Sequence, residues 1–397
     1  MSTLYKHQQH LLDLNPKRHL LAWGTGTGKT ITSIELAHKN GGRALFIVPK
    51  ALNTQWCIAL KGSRHSFYLV VTKEEFRRDW QTLPKFDCVV VDEAHYFFGM
   101  KSQMAGALEK YCKKHSVEYR YFLTATPYLS TAWNIYMAAV QLGYAISYPT
   151  FKYRFFYDIT MGRRVVPKQK DGIEDELAKI VHQIGSTVRL EDCVDVPEQV
   201  YETETFELTS TQKRAIENLT DTMPIVRFTK QHQIENGHIK GNEYEDSRTF
   251  DSHKTDRIAH LVHENKKIAI VCRYNGQISF LKDHLAGATD KKIFVINGEV
   301  KDRAQVVKDA EAAEECVVLI QASCSEGYEL PSIGVCVFAS LSFSFKDYRQ
   351  MQGRFLRINA LKKNVYIHLV AGEIDMAVYS SIMKKQDFDI AIYSQGT

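Results

Sequence analysis

The sequence predicts an α/β protein made of two doubly wound parallel sheets in tandem. Three observations carry that prediction. Short runs apolar at every position recur in both halves, as in ALFIVP (44–49) and CVVLIQAS (316–323); strands of that kind are covered on both faces. Helical patterns separate the runs, as parallel connections require. A glycine turn, GTGTGKT at 24–30, joins the apolar RHLLAW to the helical ITSIELA. At 397 residues the chain exceeds one ordinary core and suits two domains.

Taken in order, the first half offers strands at RHLLAW, ALFIVP, FYLVVT (67–72), FDCVVVDE (86–93) and YRYFL, which leads into LTATP (123–127). ITSIELAHK, ALNTQWCIAL and KSQMAGALEKYCKK read as the helices between them. From about 132 to 192 the strands are expected to stop. There TAWNIYMAAVQLGY and GIEDELAKIVHQI read as helices around an aromatic, basic loop at 151–170 carrying Arg154, Arg163, Arg164, Lys168 and Lys170. That loop either packs its rings on the first domain or stacks on nucleic acid.

The second half opens with a strand at YETETFEL (201–208) and a helix capped by Thr209 or Ser210. A polar stretch at 229–256 reads as loop. KIAIVCRY, KKIFVING, CVVLIQAS, GVCVFAS and NVYIHLV follow as strands, with NGQISFLKDHLAG and KDRAQVVKDAEAA among the helices. The expected domains are 1–199, with a helical protrusion at 132–192, and 200–397.

Composition narrows the function. No apolar run approaches the roughly 18 residues of a membrane span, and MSTLYKHQQH lacks a signal-peptide pattern, so a cytosolic protein is expected. The eight cysteines include no C-x-x-C pair and read as buried thiols. The net charge of +5 is unevenly placed: residues 1–150 hold 18 Lys and Arg against 10 Asp and Glu. That imbalance hints at a polyanion on the first half.

The motifs point to nucleotide chemistry. In GTGTGKT, the backbone N–H groups from Gly26 through Thr27 and Gly28 to Thr30 would cradle phosphates at a helix N-terminus. Lys29 would neutralise the β- and γ-phosphates of ATP, and the Thr30 hydroxyl would sit on Mg²⁺. VVVDEAHYF ends an apolar run in two acids: Asp92 to hold Mg²⁺, and Glu93 to orient and deprotonate the attacking water. Thr124 and Thr126 of LTATP read as the link between the nucleotide site and the rest of the protein. YRQMQGRFLRI (348–358) supplies Gln350, Gly353, Arg354 and Arg357; on a helix these share one face and present two guanidiniums and an amide to a γ-phosphate.

Together with YKHQQHLLDL, ALFIVPKALNTQW, VRLEDCVDVPEQ, KIAIVCRYNGQISFLKDHL and SEGYELP, these motifs make the chain resemble a superfamily 2 helicase-type ATPase over almost its whole length. It is most similar to the branch of SWI/SNF-type DNA translocases and small phage helicases. The resemblance implies two RecA-like lobes with an ATP cleft between them. It also explains the glycine turn, because such loops often lack the first glycine of G-x-x-x-x-G-K-T, whose place Trp23 takes here. Trp23 then reads as strand-end packing or as a lid near the base.

Further roles follow from the resemblance alone. Gln8 matches the glutamine that reads adenine, and Gly327 and Glu329 match a ribose or coupling motif in which Asp or Asn is usual at the second position. Pro49, Lys50, Thr72 and Lys73 in the first lobe, and Arg273, Tyr274 and Gly298 in the second, take positions where the family touches the phosphate backbone. The implied protein is a monomeric ATP- and Mg²⁺-dependent DNA helicase or translocase with little sequence preference. It would act beside replication or recombination proteins, in the host cytosol if phage-encoded, and with no membrane partner. An RNA helicase and the motor of a restriction-type complex are the alternatives within the class. A P-loop kinase and a non-hydrolysing nucleotide module are the alternatives outside it.

Overall fold

In the computed structural model, which describes residues 4–40, 42–63, 67–100, 102–125, 132–161, 164–220, 223–241, 247–356 and 363–384, the apolar runs form strands buried on both faces. The chain divides into two units, Met1–Val194 and Asp195–Thr397.

The first unit begins α1 (Lys6–Leu14), β1 (Arg18–Trp23), α2 (Lys29–Lys39), β2 (Ala44–Val48), α3 (Asn53–Lys61), β3 (Tyr68–Thr72) and α4 (Lys73–Asp79). It continues through β4 (Cys88–Val91), α5 (Gln103–Lys114), β5 (Tyr119–Leu123) and α6 (Ala132–Leu142). Then come α7 (Tyr148–Phe155), β6 (Phe156–Met161), β7 (Arg164–Gln169), α8 (Glu174–Ile184) and β8 (Gly185–Val188). Six strands pair in parallel in the order β3-β2-β4-β5-β1-β8. Successive residues serve opposite cores: Leu45, Ile47, Val89 and Val91 pack on one face, and Ala44, Phe46, Cys88 and Val90 on the other. That double covering is why no polar alternation shows in the sequence.

The second unit opens with β9 (Glu198–Phe206), α9 (Ser210–Glu217), α10 (Pro224–Glu235), the two-residue strands β10 (His238–Ile239) and β11 (Arg248–Thr249), and α11 (His253–Glu264). β12 (Lys267–Cys272), α12 (Asn275–Ala286), β13 (Lys292–Ile296), α13 (Arg303–Ala312) and β14 (Cys316–Gln321) follow. β15 (Val335–Phe338), α14 (Phe345–Phe355), β16 (Lys363–Ala371) and α15 (Glu373–Met383) complete it. Its sheet is again six-stranded and parallel, in the order β13-β14-β12-β15-β16-β9. Two doubly wound α/β units in tandem are the expected fold class, here seen as two RecA-like sheets.

One expectation is corrected. Strands do not stop between 132 and 192: β6 and β7 form an antiparallel hairpin, and β8 joins the main sheet beside β1. GSTV is too short to stand out as a strand. Gly185 fits there because a β-carbon would run into the Leu20 carbonyl. The polar stretch 229–256 is helical at its two ends: α10 runs to Glu235 and α11 begins at His253. His232, Glu235, Asn236 and Lys254 are buried but hydrogen-bonded to one another's surroundings, and polar residues inside a core hide the helical period. Finally, α14 ends at Phe355 with its cap residue Leu356 extended (φ −84°, ψ 100°), and Arg357 lies outside the described residues.

All eight cysteines are free thiols. Among the described residues no helix is long and apolar enough to cross a membrane.

Candidate active site

Parallel strands deliver their following loops to one sheet edge, and in the first unit β4, β5 and β1 are neighbours. The turn after β1 uses two left-handed glycines, Gly26 (φ 79°) and Gly28 (φ 84°), the second capping α2. This aims the first N–H groups of α2 and the positive end of its dipole into the turn. Thr27 is fully buried, its hydroxyl donating to the Gly24 carbonyl at 2.7 Å. Lys29, the first residue of α2, folds back so that Nζ donates to the Trp23 and Gly24 carbonyls, both at 2.8 Å. Thr30 sits beside it, one residue into the helix.

Gln8 braces the turn from behind. It is buried, its amide nitrogen donating to the Gly28 carbonyl (3.2 Å) and to Thr32 Oγ1 (3.0 Å) while its oxygen accepts from the Tyr5 N–H (2.7 Å). A β-carbon at Gly28 would collide with that amide. One residue outside the sequence reading joins in. His7 Nε2 lies 2.9 Å from the Thr27 carbonyl, and its ring meets Trp23 edge-on at 4.7 Å. Trp23 itself is buried, with Nε1 donating to Ser186 Oγ at 2.8 Å; it is strand-end packing.

The acid pair follows β4. Asp92 is buried: Oδ2 accepts from Trp56 Nε1 (2.8 Å) and Oδ1 from the Glu93 N–H (2.9 Å). Burial, then the adjacent Glu93 charge, pushes the Asp92 carboxyl up to about 6, against the Trp56 bond and the Lys29 charge. Trp56 was legible only as an apolar helix residue; nothing in its spacing announced a hydrogen bond to an acid. Glu93 adopts the left-handed region (φ 46°, ψ 50°), a conformation that costs a residue with a side chain roughly 1–2 kcal/mol. Such strain gathers at functional positions. The Glu93 carboxylate is buried, 3.2 Å from His95 Nδ1. Beyond β5, Thr124 is buried and donates its N–H to the Leu21 carbonyl at 3.1 Å; Thr126 lies outside the described residues.

The remaining strand ends of this unit are less open. Pro49 and Thr72 are buried, and the Thr72 hydroxyl caps α4 in a reciprocal pair with Glu75. Lys73 Nζ stands 3.1 Å above the Tyr96 ring, and Lys50 is exposed.

In the second unit, α14 and the loop after β14 are laced together. Ser325 Oγ donates to Gln350 Oε1 (3.0 Å), Arg354 Nη1 to the Tyr328 carbonyl (2.9 Å), and the Leu330 N–H to the Arg354 carbonyl (2.9 Å). Gln350 and Arg354 are therefore buried and held against the loop carrying the exposed Gly327 (φ 89°) and Glu329. Arg357 lies outside the described residues. After β12, the Arg273 N–H donates to Ser340 Oγ (2.8 Å), and its guanidinium stacks 3.6 Å from the Phe343 ring centre. Gly298 is exposed after β13.

Tyr274 is anchored by a buried chain that the sequence did not suggest. Its hydroxyl is 2.7 Å from His232 Nδ1, His232 Nε2 is 3.1 Å from Asp375 Oδ1, and Lys254 Nζ donates to Asp375 Oδ2 at 2.8 Å. Burial pushes the Tyr274 hydroxyl up to about 12, so it stays protonated and can donate.

Residues 253–359 match the helicase conserved C-terminal domain. Over 95% of this chain and 98% of its own length, the Pyrococcus furiosus Hef helicase domain shares the fold, at 15% identity and a TM-score of 0.57. The second unit therefore carries a helicase conserved C-terminal domain, and the chain as a whole has the fold of the Hef helicase domain. The Sulfolobus solfataricus SWI2/SNF2 ATPase core in complex with dsDNA also aligns, over 100% of this chain and 94% of its own, at 18% identity and a TM-score of 0.45. No curated protein matches. The matched domain spans α11 through the end of α14, and so includes Arg273, Tyr274, Gly298, Gly327, Glu329, Gln350 and Arg354.

Proposed function

We propose that the chain hydrolyses ATP and couples hydrolysis to movement on, or remodelling of, duplex or branched DNA. The observation that carries this reading is the sheet edge of the first unit. There a glycine turn with Lys29 at a helix N-terminus adjoins a buried Asp92 and a strained Glu93. An ATP polyphosphate in the turn would meet the N–H groups from Gly26 to Thr30, with Lys29 exchanging its carbonyl partners for phosphate oxygens. Asp92 and Thr30 offer the hard oxygen donors that suit Mg²⁺, which would neutralise charge on the β- and γ-phosphates. Glu93 orients and deprotonates the attacking water. Gln8 would have to release Gly28 and Thr32 to read adenine. From the helicase C-terminal domain, Gln350, Arg354 and Arg357 stabilise the γ-phosphoryl in transfer, Gly327 and Glu329 contribute to the ribose or coupling contact, and Thr124 and Thr126 relay the state of the site.

The nucleic-acid contacts are assigned to Pro49, Lys50, Thr72, Lys73, Arg273, Tyr274 and Gly298 and go to phosphates, so sequence preference is small. Because Pro49 and Thr72 are buried, their contribution is backbone placement, whereas Lys50 can reach a phosphate directly. DNA is favoured over RNA by the likeness of YKHQ and ALNTQW to the duplex-DNA branch and by the basic first half. The test is the ATPase rate with single-stranded DNA, duplex, fork, Holliday junction and RNA. Stimulation by duplex or branched DNA is expected; stimulation by RNA alone would overturn the DNA assignment.

A further inference from the structure

The hairpin of β6 and β7 lies outside the nucleotide site and presents a surface that the mechanism does not use. Its base is fixed. Phe156 stacks on Trp133 at 4.1 Å between ring centres and 15° between planes, and Gln169 Oε1 accepts the Ala132 N–H at 2.7 Å. Phe151 and Phe155 of α7 are buried in the same core. The two strands pair from Phe156↔Gln169 to Met161↔Arg164. Cross-strand partners share a face, so Phe156 and Gln169 look into the core while Tyr157 and Lys168 look away from it.

On the outward side two tyrosines are paired with lysines. Tyr153 is 85% exposed with Lys170 Nζ 5.6 Å from its ring centre; Tyr157 is 42% exposed with Lys168 Nζ 5.9 Å away. Lys168 and Lys170 are two residues apart and so face the same side. Two neighbouring cations already have carboxylate partners: Lys152 with Asp158 (2.8 Å) and Arg154 with Glu176 (2.6 Å). Among the described residues, Lys168 and Lys170 pair with no carboxylate. Scattered exposed aromatics mean little, but two solvent-facing rings, each beside an ammonium and mounted on a fixed base, form a patterned surface.

We propose that this face binds single-stranded DNA, the tyrosine rings stacking on bases and Lys168 and Lys170 contacting the phosphates. The occupant follows from the chemistry. An unpaired base supplies the flat apolar partner the rings lack and brings the anion the lysines lack, whereas duplex DNA hides its base faces. Because the base is preorganised, little ordering accompanies binding. The proposal rests on the DNA-motor reading, in which remodelled branched DNA supplies the single strand.

The test is fluorescence anisotropy with labelled oligo(dT) and with a duplex of equal length, across a salt series, alongside DNA-stimulated ATPase. Tyr153→Ala and Tyr157→Ala should each weaken oligo(dT) binding about fivefold or more, as loss of one stacked base does. Tyr153→Phe and Tyr157→Phe should bind like wild type, because the ring does the stacking. Duplex affinity should change by less than about twofold, and Lys168→Gln should lower the single-strand salt slope by about 0.7, the share of one phosphate. Thermal midpoints should be unchanged, since these positions are exposed.

Oligo(dT) binding unaffected by either alanine variant, in a protein whose wild type binds DNA, would overturn the hairpin proposal and leave the motor reading standing. Equal losses on duplex and single strand would also overturn it, because charge rather than stacking would then be at work. A wild type that neither binds DNA nor responds to it in ATPase would overturn the motor reading and the hairpin proposal together.

Discussion

Replacing Lys254 by methionine tests the buried chain that holds Tyr274. The Lys254 ammonium is buried 2.8 Å from Asp375 Oδ2 and 2.7 Å from Asn236 Oδ1. Burial alone would raise the Asp375 carboxyl, but Lys254 and His232 hold it well below the usual carboxylate range. Removing one partner of a buried ion pair costs about 3–5 kcal/mol because the other charge stays buried. For a unit of roughly 200 residues that is a fall in Tm of about 6–20 °C.

The deficit should also depend on pH. In the wild type, burial holds the His232 imidazole below its ordinary value, so the unfolded chain binds more protons and stability rises with pH toward about 6.5. Without the Lys254 charge, His232 faces Asp375 with Tyr274 and Arg273 as its other neighbours, and its folded value rises. A less depressed folded value leaves the variant with less of the wild type's loss of stability on acidification through the unfolded value. The deficit of Lys254→Met should therefore be largest near pH 8 and shrink toward pH 5.5. Calorimetric or circular-dichroism melts at pH 5.5, 7 and 8 measure it. A loss under about 1 kcal/mol, or a deficit that grows toward acid, would refute the buried-pair reasoning.

Three further changes have defined outcomes. Gly28→Ala introduces a side chain at φ 84° and against the Gln8 amide, so nucleotide affinity measured by titration should fall by at least tenfold. Trp56→Phe removes the buried donor to Asp92, an interaction worth about 1.5–3 kcal/mol, and should raise the Mg²⁺ concentration for half-maximal ATPase while lowering Tm by about 3–12 °C. Arg354→Ala should bind ATP almost normally but turn it over about 10³-fold more slowly; Arg354→Lys should rescue little, since an ammonium cannot span both the Gln350 and Tyr328 carbonyls.

The sheets were legible because runs such as CVVV and IAIVC are apolar at every position, a pattern that a doubly covered strand requires. The glycine turn and the Asp92–Glu93 pair were legible because their residue types are tied to their chemistry. β8 was not, since four residues with a glycine and a serine look like a loop until they meet β1. Nor were the helix ends within 229–256, where buried His232, Glu235 and Lys254 each find a partner in Asp375, distant in sequence. The roles of Trp56 and His7 became visible only once strands from different parts of the chain brought their partners alongside.

The most direct measurement is DNA-stimulated ATP hydrolysis by wild type and Glu93→Gln, with ATP affinity determined on the same samples. If Glu93 activates water in a DNA-dependent motor, wild-type turnover should rise on adding DNA. Glu93→Gln should bind ATP within a fewfold of wild type yet hydrolyse it at least about 10²-fold more slowly, with or without DNA. Wild-type hydrolysis indifferent to DNA, or a Glu93→Gln variant that hydrolyses at the wild-type rate, would contradict it.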